Sequence, residues 1–160
     1  MSDTKRSLFV DAVIIVALVS IAVLGYLFSP LLLPKADVAL APLAGCDLNQ
    51  QACRAEMPEG GAYIELAIAP QPIPVVRPLQ ITVALPGLPA DKVEVDFAGV
   101  TMNMGVNRVT LTPAGADKFT GETTIPVCVT GRMLWRATVM VETGHQRIAA
   151  PFQFEAPVNR

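Results

Sequence analysis

The chain has 160 residues, 52% of them hydrophobic, with a formal net charge of −2. Residues 36–160 carry 9 Lys/Arg against 12 Asp/Glu, so that part has a net charge of 9 − 12 = −3. This balance leaves no electrostatic footprint for nucleic acid and no polybasic stretch for anionic lipid.

Residues 1–11 read as a cytoplasmic N-terminus. The run Ala12 to Leu33, AVIIVALVSIAVLGYLFSPLLL, contains no charged side chain. About 20 such residues in a helix cross the ~30 Å hydrocarbon layer, so 12–33 is expected to be a transmembrane helix. Lys5 and Arg6 precede it, which favours the N-terminus inside and the rest outside. The run is longer than the apolar core of a cleaved signal peptide, about 7–15 residues, so an uncleaved single-pass anchor is expected. Gly25, Ala17, Ser20 and Ala22 would permit close helix packing. The expected location is the inner membrane, with the C-terminal domain in the periplasm or outside the cell. Leu43-Ala44-Gly45-Cys46 offers a lipobox alternative, but Lys35 and Asp37 intervene between it and the apolar run.

Residues 34–60 read as a linker rich in Ala, Pro, Gly and polar residues. Cys46 and Cys53 lie close together within it. Outside the cytoplasm such a pair oxidises, so a small disulfide loop is expected. The alternative, a redox or metal-binding pair, lacks tight C-x-x-C spacing.

From 61 to 160 apolar residues alternate at period two, the mark of half-buried strands. The runs are Ile64/Leu66/Ile68, Leu79/Ile81/Val83/Leu85, Val93/Val95/Phe97, Val109/Leu111, Ile125/Val127/Val129, Trp135/Ala137/Val139/Val141 and Ile148/Ala150/Phe152/Phe154. Pro and Gly punctuate them. About seven short strands predict an all-β, immunoglobulin-like antiparallel sandwich, with a small barrel as the alternative.

Nothing in the sequence points to an enzyme. The one histidine, His145, lies in a turn motif without a partnering nucleophile, and phosphate loops and zinc- or calcium-type spacings are absent. What stands out is sulfur. Met102 and Met104 are two apart, which in a strand puts them on one face. Cys128 is the odd cysteine. With Thr130-Gly131 as a two-residue turn, Cys128 faces Met133 across a hairpin, although that register makes both strand faces partly apolar. Soft thiolate and thioether ligands favour Cu(I), so Met102, Met104, Cys128 and Met133 are the candidate metal ligands and copper(I) the candidate cofactor. The alternative is that Met and free Cys simply fill the core.

Met102-x-Met104-Gly105, Leu111, Phe119-x-Gly121 and Gly131 followed by Trp135 are the features through which residues 62–154 resemble the YtkA-like and FixH-like group of small membrane-anchored periplasmic proteins. The resemblance implies copper handling or help in assembling a respiratory oxidase, and carries over only Met102 and Met104 as ligands. Cys128 and the Cys46/Cys53 pair depart from the group's pattern. Two functions are therefore expected to compete. One is a tethered Cu(I) metallochaperone or oxidase assembly factor. The other is a non-metal interaction module or accessory subunit of a membrane complex.

Overall fold

The computed structural model describes residues 3–32, 36–41, 45–102, 105–126, 132–144 and 146–156, with helix side chains described over 11–26. The chain divides into two compact units, Met1–Lys35 and Ala36–Arg160.

The first unit is helix α1, Asp3–Leu32, whose apolar residues favour no face. Described side chains from Val13 to Tyr26 are exposed, and Ser20 Oγ donates back to Val16 O at 2.8 Å, satisfying its hydroxyl within the helix. Among the described residues no helix is long and apolar enough to cross a membrane. The span expected over 12–33 runs past the described side chains at its outer end.

The second unit is all-β. In chain order its strands are β1 Val38–Ala39, β2 Cys53–Glu56, β3 Tyr63–Ala69, β4 Leu79–Ala84, β5 Lys92–Gly99, β6 Asn107–Thr110, β7 Thr112–Pro113, β8 Lys118–Thr123, β9 Met133–Thr143 and β10 Gln146–Ala156. One sheet has the order β1-β10-β9-β5-β6 and the other β2-β3-β4-β8-β7. Among the described residues only β1 and β10 pair parallel.

The period-two runs account for the core. Ile64, Leu66 and Ile68 of β3, Val93, Val95 and Phe97 of β5, and Trp135, Ala137, Val139 and Val141 of β9 are all buried. Burying a large apolar side chain contributes roughly 1.5–3 kcal/mol, and each strand turns its even or odd set inward because side chains alternate. Phe97 and Phe154 meet edge to face with centroids 6.4 Å apart, an orientation aromatic rings prefer.

Two expectations are corrected. The stretch 34–60 is not a free linker: the compact unit begins at Ala36, β1 pairs Val38 with Ile148, and β2 pairs Cys53 with Leu66. Leu40, Leu48 and Ala55 join the core. The expected strand through Ile125 does not form over 124–126, and 127–129 lie outside the described residues. The strand that fills this place in the sheet is β8, where Ile81 pairs with Gly121 and Val83 with Phe119. Its inward glycine hides the alternation. A Cβ on Gly121 would stand 2.6 Å from Leu111 Cδ2. Leu111 is where the chain passes from β6 in one sheet to β7 in the other, so that crossing requires the glycine.

Candidate functional site

Strand directions bring four connections to one end of the sandwich. They are the disulfide loop 45–52, the proline-rich segment 70–78, and the described parts of the connections after β5 (100–102 and 105–106) and after β8 (124–126 and 132). Backbone hydrogen bonds tie them together. Val76 N donates to Ile125 O at 2.9 Å, and Val100 N to Leu134 O at 2.9 Å. The chain enters the sandwich at the opposite end. There Asp37 N donates to Arg147 O and Arg147 N to Asp37 Oδ2, each at 2.8 Å, beside the β9–β10 turn where Thr143 pairs with Gln146.

Cys46 and Cys53 are joined in a disulfide, as their spacing predicts. The loop they close plugs this end of the sandwich. Leu48 is fully buried, and its carbonyl accepts from Gln71 Nε2 at 2.9 Å. Asn49 ties the proline-rich segment to β10: its Oδ1 accepts from Ile73 N at 3.0 Å and its Nδ2 donates to Glu155 O at 2.9 Å. Asp47 shapes the loop. Its carboxylate accepts first from the backbone N–H of Asn49, then from the Gln50 side chain and the Asn49 amide, and these bonds hold its pKa below the ordinary value. Charge on the acceptor is favoured when donors converge on it. The sequence signal for this plug was slight: one leucine in an otherwise polar loop.

Beside the loop lies an open cleft of about 480 Å³ lined by Cys46, Asp47, Asn49, Arg132, Leu134 and Glu155, among others. Arg132 and Glu155 approach to 3.9 Å, both largely exposed, a pair that contributes little in water.

The candidate ligands divide. Met102 is 41% exposed in the 100–106 connection. Met133 opens β9, pairs with Ala156 and is only 4% exposed. It stands on the same face as Trp135, as the alternation requires, and that face is the core. Met104, Cys128, the Thr130-Gly131 turn and His145 lie outside the described residues. The topology thus brings Met102 and Met133 to one end, because Val100 bonds the residue after Met133. Among the described residues no three His, Cys, Asp or Glu side chains gather as a metal cluster.

The large exposed apolar residues described in the sandwich, Val76, Val100, Met102 and Val106, sit on connections at this end. Val76 has φ of 56°, a left-handed conformation that strains a β-branched residue. Trp135 is fully buried, and among the described residues its indole N–H has no hydrogen-bond partner.

No family model matches the chain, and no curated protein matches it. Among solved structures it is similar to a DUF4785 family protein of Legionella pneumophila subsp. pneumophila. The TM-score is 0.42 at 17% sequence identity, over 60% of this chain and 28% of that one. The chain therefore spans less than a third of that protein's length.

Proposed function

We propose that the chain is a membrane-tethered extracytoplasmic protein that binds Cu(I) at the loop-bearing end of its sandwich and hands it to a respiratory oxidase or another membrane complex. One observation carries the reading. The bond from Val100 N to Leu134 O holds the connection bearing Met102 against the start of β9, where Met133 stands. Thioethers are soft ligands suited to Cu(I). Met102, Met104, Cys128 and Met133 would supply the sulfur ligands; of these, Met102 is exposed and Met133 is buried. Transfer proceeds by ligand exchange: Met102 is accessible, so an incoming ligand displaces it first.

The tether rests on the charge-free run of residues 12–33. A helix apolar on every face suits lipid better than water. The sandwich is read as immunoglobulin-like because β3, β4 and β8 share one sheet and β10, β9 and β5 the other, matching the ABE and GFC strands of that fold.

Anaerobic titration of the purified protein with Cu(I) against a competing chelator tests the metal reading. About one site is expected. Equal binding by the Met102→Ala/Cys128→Ala double variant would remove it.

The burial of Met133 favours a second reading, a non-metal module that braces or recruits a partner in a membrane complex, with the sulfurs as packing. Free Cys and Met both serve as core fillers. Thiol labelling separates the two: a Cys128 that reacts only in denaturant belongs to the packing reading.

A further inference from the structure

We infer that Met102 is an oxidation site, and that its conversion to the sulfoxide switches off soft-metal binding at this end of the sandwich. The switch rests on the copper reading; the selectivity of oxidation does not.

The described methionines differ sharply in access. Met102 is 41% exposed and Met133 4%, while Met57 and Met140 are half-buried. Met102 also sits in a neutral setting. The ten residues from Ala98 to Asn107, AGVTMNMGVN, contain no charge, and Val100 and Val106 beside it are exposed too. A small uncharged hydroperoxide can therefore reach this side chain from solvent. At Met133 it meets the packed core.

The step is a two-electron oxidation. The thioether sulfur attacks one oxygen of hydrogen peroxide, the O–O bond breaks, the proton on the oxygen now bound to sulfur passes to the departing hydroxide, and water leaves. Sulfur is oxidised and peroxide reduced. The product side chain is polar; one of the sulfur's two lone pairs is now engaged in the S–O bond, and the electron-poor sulfur is a weaker soft donor through the other. The added oxygen is a hard donor, which Cu(I) disfavours.

The test treats the full-length protein with hydrogen peroxide under native conditions and follows each methionine by peptide mass spectrometry. Met102 is expected to gain one oxygen at least ten-fold faster than Met133, and clearly faster than Met57 and Met140. Denaturant should erase the difference. Equal native rates would overturn the site. Treated and untreated proteins are then titrated anaerobically with Cu(I). At least ten-fold weaker binding is expected after oxidation, and unchanged binding overturns the switch. If the untreated protein itself fails to bind Cu(I), the metal reading and the switch fall together, while selective oxidation of Met102 is still scored on its own. Met102→Leu, which offers no thioether at that position, supplies the control. Its residual Cu(I) affinity should not change on peroxide treatment. The same fold-loss in this variant would assign the effect to another residue, Cys128 first among them, and overturn the proposal.

Discussion

Opening the Cys46–Cys53 disulfide should weaken the sandwich without dismantling the plug it closes. The two cysteines are seven residues apart. Restoring the freedom of a loop that size to the unfolded chain lowers stability by roughly 2.4 kcal/mol at 25 °C. Cys53 is 2% exposed and points into the core, whereas Cys46 is half-exposed. The variant is therefore Cys46→Ser/Cys53→Ala, which buries no new hydroxyl and leaves a small void costing about 1 kcal/mol. A loss of about 3 kcal/mol lowers Tm by roughly 10 °C for a unit of this size. The loop should still dock, because the buried Leu48 and the two Asn49 bonds do not depend on the sulfurs. Denaturant unfolding followed through Trp135 fluorescence gives the stability, since that indole is fully buried in the core. Amide exchange at Ile73 reports the plug, since that N–H donates to Asn49. An unchanged midpoint would refute the loop-entropy argument. Loss of Ile73 protection while Trp135 remains native would refute the claim that packing and hydrogen bonds hold the loop.

Four further outcomes are expected. Asn49→Ala leaves the Ile73 N–H and the Glu155 carbonyl without this partner and should cost about 1–3 kcal/mol in denaturant unfolding. Gly121→Val drives side-chain atoms into Leu111 at the sheet crossing and should cost about 1–3 kcal/mol or more, whereas Gly25→Ala in α1 meets nothing within 4 Å and should leave the sandwich's thermal midpoint unchanged. The depressed pKa of Asp47 contributes stability that is complete above the ordinary carboxylate value and fades as pH falls through the lowered one. The difference in thermal midpoint between the native protein and Asp47→Asn should accordingly be present at pH 6 and shrink as pH falls below about 4.

The sequence by itself determined the long apolar runs and their inward faces. Strands β3, β4, β5, β9 and β10 each carry three or more apolar residues at period two, and that pattern is a local consequence of the pleat. It also determined the disulfide, since two cysteines seven residues apart have few ways not to meet once oxidised. Even the place of Met133 on the Trp135 side followed from parity, and the structure adds that this side is the core.

Tertiary structure decided the rest, because pairing partners lie far away in sequence. Two residues, Val38 and Ala39, have no strand signal of their own. They become β1 because the edge of β10 offers Ile148 and Ala149 over a hundred residues later. Residues 118–123 become β8 rather than the neighbouring 124–126, since Gly121 alone leaves room for Leu111 to cross between the sheets. No alternation registers a missing side chain. The gathering of Met102 and Met133 at one end likewise has no local cause. It follows from antiparallel strands returning their connections to a common end, which the bond from Val100 to Leu134 then fixes.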